Sequence, residues 1–327
     1  SWKTADLWFA VFVQDDTNKS ILQAASSRPL PAYSIRFWAK GDRAVAGPST
    51  GAYSYGDFAV FNGGTTGDTF HITLDRGNLP ASWGCVFTDG VLSIDSFFDV
   101  FLAPGESRIF HMEITPSGYG YGSPSIVLTS DGLPGKTREI EYTYITDDVQ
   151  VLLVDDGGNS TYQGYLKSAL TTYGASYGVW DTNFANVTGA MLGNFPVVVW
   201  SCALAYPTLT ATDRAAITAY LAGGGKLFLS GQDIGWELCY ASSGNYDPTW
   251  YNNNLHATYV LDDANLNSVT GVVGDPIGNG LVMPLTAALN PYPDQISPRD
   301  AFASNIFVYT GSTKYGGIKV DTGTAKI

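Results

Sequence analysis

Charged side chains are scarce in this chain of 327 residues, and basic ones are the scarcest. Lysine and arginine together number 17 against 30 aspartates and glutamates, which gives a net charge of −13 at pH 7. Because phosphate contacts need clustered Lys and Arg, this balance argues against a nucleic-acid-binding protein and against anionic membrane surfaces. No uninterrupted apolar run reaches the length of about 18 residues that a spanning helix requires, so we predict no membrane span.

Cysteine is also rare, since Cys85, Cys202 and Cys239 are the only three. They allow one internal disulfide at most, which excludes a small disulfide-stapled scaffold. No leader peptide precedes the strand-like opening of the chain, so we expect either a mature terminus or an excerpt of a longer protein. The abundant residues are Gly (37), Tyr (20) and Trp (8). Such a composition suits a secreted or cell-surface protein, which is the location we predict.

The first half of the chain has the patterns of β-strands. Residues 1–28 predict a β-hairpin segment, in which LWFAVFVQ and SILQAA are the strands. A two-stranded hairpin is marginal in water, so this one needs a partner in its own chain or in another. Residues 29–148 carry short strand patterns between Gly, Pro and Asp turns, which predict an antiparallel, Ig-like β-sandwich. We expect Trp83 in its core, because a large ring near a strand start is a common sandwich anchor.

The pattern changes at residue 149, where apolar strands begin to alternate with helices. VQVLLVDD, SYGVWD, PVVVWSC and KLFLSG predict strands, and TYQGYLKSALTTYG and TATDRAAITAYLAGGG predict helices. Strands that are apolar throughout indicate a parallel sheet covered on both faces. Right-handed crossovers then place the carboxyl ends of all its strands at one edge. The chain is therefore predicted to be multidomain, all-β first and then α/β over residues 149–327.

Several stretches are distinctive beyond their periodicity. In the α/β part they are LLVDDGGNSTYQGYLKSAL, YGVWD, VVVWSCALAYPTLTATDRAAITAYLAGGGKLFLSGQDIGWEL, YNNNLHATYVLDD, GDPIGNGL and YPDQISP. They resemble the class I glutamine amidotransferase-like module of secreted multidomain bacterial proteins, which implies a flavodoxin-like sheet that here lacks its last strand. RGNLPASWGCVF and FLAPGESRIFHMEITP resemble Ig-like modules of such proteins, and FAVFVQDDTNKSILQAA resembles the end of a thioredoxin-like domain.

Residues 231–235, GQDIG, have the G-x-x-x-G frame of a nucleophile elbow, where a strand turns sharply into a helix. The middle position holds Asp233, whereas catalytic members of the resembled family have Cys there. No His-x-Glu pair follows, and His256 is the histidine of the α/β part. The candidate catalytic residues are therefore Asp233 as nucleophile with His256 as its base, and Cys202 at a strand end. In the alternative interpretation, Gln232 and Asp233 cap the following turn.

Acidic residues end the first two predicted strands of the sheet. Asp155, Asp156 and Asp181 are expected along the same edge as Asp233, and four carboxylates there repel one another unless something compensates. A Ca²⁺ ion with oxygen ligands is one candidate, and it is the one cofactor we consider. The alternative is capping by water and by helix N-termini, since DDGGNS is predicted to open a helix whose dipole favours anions.

Cys202 and Cys239 follow neighbouring strands of the predicted sheet. A disulfide between them in an oxidising compartment is one hypothesis. Two buried free thiols are the other.

These features predict a non-catalytic extracellular structural or binding protein, a subunit or fragment of a larger surface assembly. Its expected partners are a second copy of itself, through strand exchange or homo-oligomerisation, or neighbouring domains of a longer chain. One alternative is a hydrolase, or the accessory region of a secreted peptidase, that uses the strand-end cluster. The other is a carbohydrate or cell-wall binding module that uses exposed Trp and Tyr.

Overall fold

The structure is a computed structural model that describes residues 10–14, 21–26, 29–158, 160–285 and 292–327. Within these ranges no helix is both long and apolar enough to cross a membrane. Strands β1 (Ala10–Gln14) and β2 (Ile21–Ser26) pair antiparallel, as the predicted hairpin requires. The turn of that hairpin lies outside the described residues.

The next part of the chain folds into three sheets. Its strands are β3 (Ile35–Ala39), β4 (Ala44–Gly47), β5 (Tyr53–Asn62), β6 (Asp68–Asp75), β7 (Gly84–Thr88), β8 (Ser93–Ile94), β9 (Phe97–Leu102), β10 (Ser107–Thr115), β11 (Tyr121–Gly122), β12 (Ser125–Ser130), β13 (Arg138–Glu141) and β14 (Thr143–Thr146). Two sheets are antiparallel, with strand orders β3-β5-β10-β7-β8 and β13-β12-β6-β9. A small third sheet has the order β11-β14-β4. These sheets agree with the predicted β-sandwich.

Alternating burial along the strands builds the sandwich core. In β6, inward-facing Phe70 and Ile72 are fully buried, whereas the residues between them are only partly buried. They belong to one hydrophobic cluster with Phe58 and Phe110 of the opposite sheet. Trp83 is 2% exposed. Its predicted place in the core is confirmed.

A four-stranded parallel sheet follows the sandwich. Its elements are β15 (Val151–Asp155), α1 (Gln163–Tyr173), β16 (Tyr177–Asp181), α2 (Gly189–Leu192), β17 (Val197–Ala203), α3 (Ala211–Ala222) and β18 (Leu227–Gly231). The strand order is β16-β15-β17-β18, and every neighbouring pair is parallel. Thr210 and Asp213 form a capping box at the start of α3, where TATD predicts a helix start.

Sequence analysis did not identify the sheet that closes the chain. After α4 (Ile234–Cys239) and α5 (Pro248–Asn254), six strands form an antiparallel sheet in the order β19-β22-β24-β23-β20-β21. They are β19 (Ala257–Leu261), β20 (Ser268–Gly271), β21 (Val282–Pro284), β22 (Gln295–Pro298), β23 (Ala303–Tyr309) and β24 (Tyr315–Val320). Beyond β24, Lys326 forms a parallel bridge with Lys226, next to the start of β18.

The sandwich and the parallel sheet are in direct side-chain contact. A Cβ atom at Gly178 of β16 would lie 2.3 Å from Cγ2 of Ile145 in β14, so only glycine fits against that fully buried side chain. The Arg43 guanidinium lies 4.3 Å from the ring centroid of Phe184. The Arg43 backbone N–H donates to the Phe184 carbonyl at 3.0 Å. Ala44 and Ile145 therefore share a core with the strands of the parallel sheet.

Candidate functional site

The predicted elbow is present at the carboxyl end of β18. Strand β18 ends at Gly231, α4 begins at Ile234, and Asp233 between them has the left-handed conformation, with φ 61°. A Cβ at Gly231 would lie 2.6 Å from Cβ of Cys202, and a Cβ at Gly235 would lie 2.9 Å from Oδ2 of Asp294. Close approach therefore requires glycine at Gly231, whereas a Cβ at Gly235 would displace the Asp294 carboxyl.

Two acidic residues that sequence analysis did not single out lie beside Asp233. Asp262 follows β19 and Asp294 precedes β22, and one carboxylate oxygen from each of the three residues lies within 4.8 Å of the others. Both new residues occur in distinctive stretches, YVLDD and YPDQISP. The sequence signal for each residue was an acid directly next to a predicted strand-like segment. That signal does not indicate which strand ends lie close together in the fold.

The environment of Asp294 favours a neutral carboxyl. Its Oδ2 accepts a hydrogen bond from the Trp236 backbone N–H at 3.1 Å, whereas its Oδ1 is buried without a hydrogen bond among the described residues. Burial, followed by the negative charges of Asp233 and Asp262, raises the pKa of Asp294 to about 7. Burial and Asp262 also raise the pKa of Asp233. Chemically, this group of carboxyls can share a proton near neutral pH or surround a hard cation.

The carboxylates at the other strand ends hold loops in place. Asp155 and Asp181 are neighbours across β15 and β16, and Oδ1 of Asp155 accepts the Gly157 N–H at 3.3 Å. Oδ1 of Asp181 accepts the Asn183 N–H at 2.8 Å. The cluster that could hold a metal ion in the described part of the chain contains Asp233 but none of these residues. The structure therefore divides the predicted group of four acids.

Asp156 is held by neutral side chains. Its Oδ2 accepts the Trp200 Nε1–H and its Oδ1 accepts the Thr182 hydroxyl, each at 3.0 Å. Burial raises its pKa to about 7 and that of Asp155 to about 6. Helix α1 begins at Gln163 and has no acid in its first turn, and compensation of the strand-end acids by its dipole stays a prediction.

Side-chain capping by Asp233 is also absent. The Asp233 side chain makes no capping hydrogen bond to α4, and the Glu237 N–H donates to the Asp233 carbonyl at 2.8 Å. The left-handed backbone of Asp233 explains the difference, since a capping side chain normally extends from a β-region residue. Gln232 contacts Asp233 through Nε2 and Oδ2 at 3.4 Å.

The structure places His256, the candidate base for Asp233, beside another acid, and it buries Cys202, the other candidate nucleophile. Nδ1 of His256 lies 2.7 Å from Oδ2 of Asp300, and its ring packs edge-on against Phe302. Cys202 is fully buried, and burial raises its pKa well above the ordinary value of a thiol. The attacking species of a cysteine enzyme is the thiolate, which this environment disfavours.

All three cysteines are free thiols in the structure. For Cys202 and Cys239, the structure therefore corresponds to the hypothesis of two free thiols and not to the hypothesis of a disulfide. Burial raises the pKa of Cys239 to about 11, so it too is a poor nucleophile.

Glu237 is an acidic residue that sequence reasoning missed. It lies in α4 with no exposed surface. Its Oε2 accepts the Thr208 N–H at 2.6 Å, and its Oε1 accepts the Asn245 side-chain amide at 2.8 Å. Asn245 in turn accepts from Arg214 at 2.8 Å. A charged residue inside the apolar run IGWEL was the available signal. Its role is to join two loops to the helix behind the elbow.

Aromatic side chains are exposed close to the same turn. Trp236 and Tyr240 stack with ring centroids 5.6 Å apart and planes 20° apart, and Tyr240 is 51% exposed. Tyr206 and Tyr246 are also exposed, and the Tyr206 hydroxyl donates to the Ser243 carbonyl. The Trp236 backbone N–H donates to Asp294, so the backbone of the stacked pair's first residue is tied to the carboxyl cluster.

No known protein family matches this chain, and no curated protein matches it. Among solved structures, the secreted serine protease VesC from Vibrio cholerae is 11% identical, with 34% of this chain and 23% of that chain covered and a TM-score of 0.26. The CARDB domain of a Pyrococcus furiosus protein, in complex with di-metal ions, is 14% identical, with 36% and 97% covered and a TM-score of 0.26. A conjugative transposon lipoprotein from Bacteroides eggerthii is 11% identical, with 35% and 96% covered and a TM-score of 0.24.

Proposed function

We propose that this chain is a non-catalytic structural and binding protein of the cell exterior, acting as part of a larger surface assembly. The observation that carries this proposal is the chemistry of the elbow. Asp233 stands where a nucleophile would, but His256 is engaged by Asp300 and the Cys202 thiol is fully buried. Without a base, a carboxylate at the elbow has no neighbouring group to activate the water that would release a covalent intermediate, and a buried neutral thiol is a poor nucleophile.

The architecture supports an amidotransferase-like module that keeps its frame without its reaction. The parallel order β16-β15-β17-β18 corresponds to the first four strands of the flavodoxin-like order. Gly231 of the elbow is retained because the surrounding packing requires it. Fold alone does not assign chemistry, so the missing attacking group decides the proposal.

Composition supports the location and the type of partner. The net charge of −13 disfavours nucleic acid and anionic membranes. Few charged residues and many Tyr, Gly and Trp residues suit an extracellular surface.

Hydrolysis assays test the proposal directly. We expect wild-type protein, Asp233→Asn and Cys202→Ala to release product from ester, peptide and glutamine substrates at the same background rate. Asp148→Asn, at an exposed position outside the cluster, is the matched control. A measurable wild-type rate that falls at least about tenfold in Asp233→Asn or Cys202→Ala, with the fold intact by circular dichroism, would establish the hydrolase alternative.

The stacked pair Trp236–Tyr240 favours carbohydrate binding as a second candidate function. A partly exposed aromatic surface suits the apolar face of a sugar ring, and the carboxyl cluster is tied to the same helix through the Trp236 backbone N–H. In gels containing soluble polysaccharides, we expect wild-type protein to be retarded and Tyr240→Ala to lose at least about tenfold in affinity. Tyr173→Ala, at an 87% exposed position, should bind as wild type does. Equal mobility of all three proteins with every polysaccharide would exclude this function.

A further inference from the structure

Among the described residues, strand β9 is an edge of the sandwich. It is the last strand in the order β13-β12-β6-β9, and it pairs with β6 alone among the described strands. Phe97 and Phe101 on its outer face are each 66% exposed. An exposed apolar edge strand is a template for pairing with another strand.

The ladder between β6 and β9 determines which backbone groups are free. The Leu74 N–H donates to the Ser96 carbonyl at 2.7 Å, just before β9 begins. In an antiparallel ladder, hydrogen-bonded pairs alternate with pairs that make no bond to each other. Continuing this alternation along the register, the residues whose N–H and C=O groups point away from β6 are Phe97, Asp99 and Phe101.

The sequence of β9 is nearly symmetric about Asp99. Residues 97–101 are FFDVF, which reads almost the same in both directions. In an antiparallel pair of two such strands centred on Asp99, Phe97 of one copy lies opposite Phe101 of the other. The free N–H and C=O groups of the two copies then face each other in register. Cross-strand aromatic pairs are among the stabilising contacts of sheets.

We propose that two copies of this chain associate by antiparallel pairing of β9 with β9 about a two-fold axis at Asp99. The occupant is a second copy because the strand is complementary to itself in sequence and in backbone direction. The contact makes one continuous sheet from the β13-β12-β6-β9 sheets of the two molecules. This contact supplies a partner for the assembly role proposed above, and the proposal rests on that role. The experiment that tests it measures association and not catalytic activity.

Asp99 limits the strength of this contact. The two Asp99 carboxylates face each other across the axis, and like charges directly opposite destabilise a strand pair. Each is partly compensated, because Nδ1 of His71 lies 2.8 Å from Oδ1 of Asp99. The other ring nitrogen of His71 lies 3.0 Å from Oδ1 of Asp131. The charged centre thus weakens the association.

Sedimentation velocity of the full chain at micromolar to millimolar concentrations tests the proposal. We expect a monomer–dimer equilibrium in wild-type protein and at least about hundredfold weaker association in the double variant Phe97→Lys/Phe101→Lys, which places like charges opposite each other. Asp99→Asn should associate about two- to fivefold more tightly, because it removes the central repulsion. Ile109→Lys is the control, since Ile109 is 53% exposed but lies on β10, between two other strands.

A cross-link tests the register. Asp99→Cys places a thiol from each copy at the axis, so mild oxidation should give a covalent dimer that Ile109→Cys and wild-type protein do not give. The proposal is overturned if wild-type protein stays monomeric throughout the concentration range. It is equally overturned if the dimer persists unchanged in the double variant, or if Asp99→Cys gives no more covalent dimer than the controls. Hydrolysis by the same samples would refute the non-catalytic role without affecting this result.

Discussion

Replacing Glu237 by alanine is expected to lower the free energy of unfolding by about 3–5 kcal/mol, because it strips the buried Thr208 N–H of its acceptor, removes one acceptor of the part-buried Asn245 amide and leaves a cavity. The Thr208 N–H and the Asn245 amide both end on the Glu237 carboxylate, which is fully buried. Without the side chain, the Thr208 N–H is left without an acceptor in a buried position, whereas the part-buried Asn245 amide keeps the Leu209 carbonyl at 2.9 Å. The substitution also leaves a cavity, and the Arg214–Asn245 contact loses its support.

Urea denaturation followed by tryptophan fluorescence measures this loss. Glu237→Gln keeps the volume but offers one acceptor oxygen for two donors, so we expect a smaller loss of about 1–3 kcal/mol. Glu139→Ala, at an exposed position on β13, should change stability by no more than about 0.5 kcal/mol. If Glu237→Ala were as stable as Glu139→Ala, the structural role of the buried carboxylate would be refuted.

Between pH 5 and pH 8 the protein is expected to become less stable, by up to about 7 kcal/mol. Burial raises the pKa of Asp156 and Asp294 to about 7 and that of Asp155 to about 6, from an ordinary value of 3.8. Such a carboxyl binds its proton more tightly in the folded protein. Its ionisation penalty is therefore fully present above pH 7 and is relieved as the pH falls towards 4. Each contributes about 1.4 kcal/mol per pH unit where only the folded form is protonated.

Other groups shape the two ends of the profile. Hydrogen bonds from Asp99 and Asp131 raise the pKa of His71, so its contribution is complete below about pH 6.5 and is lost as the pH rises through the folded value. It thus acts in the same direction as the buried acids. Salt-bridged Asp300 has a lowered pKa, so its contribution is lost as the pH falls below about 4. Together these shifts place the maximum of stability at mildly acidic pH.

Thermal unfolding across this pH range, with Asp294→Asn as the diagnostic variant, checks the prediction. The variant should be more stable than wild type at pH 8, by about 1–2 kcal/mol, because it removes a negative charge and gives Asp233 and Asp262 a donor. At pH 5 the two proteins should agree, and Asp148→Asn should follow wild type throughout. A flat wild-type profile would contradict proton uptake by the cluster.

Repeating the pH 8 measurement with Ca²⁺ and with a chelator tests whether the cluster binds a cation. A bound ion would raise the melting temperature of wild type but not that of Asp294→Asn.

Local pattern was sufficient to predict the parallel sheet and its elbow. Strands such as β15, buried at every position, can be predicted because a sheet covered on both faces needs an unbroken apolar run. The capping box of α3 and the elbow glycines are similarly local signals. The core position of Trp83 was also predictable from a local signal, a large ring near a strand start.

The carboxyl cluster was not predictable, because its members come together only in the folded chain. Asp262 and Asp294 directly flank strands of the closing antiparallel sheet, which is made of short segments with weak alternation. Without that sheet, the acids at the ends of β15 and β16 were the natural neighbours to expect for Asp233. The buried Glu237 was missed for a related reason, since its partners lie in loops whose path no periodicity reveals.

The contact between Ile145 and Gly178 has a mechanical consequence. Modules joined only by a linker usually swivel, and tension on one straightens the linker before it reaches the other. Here a fully buried side chain of the sandwich occupies the space of a missing Cβ in the parallel sheet, and Arg43 covers Phe184 beside it. A pulling force on either module is therefore expected to reach the other through packed side chains, so that the two modules bear load together.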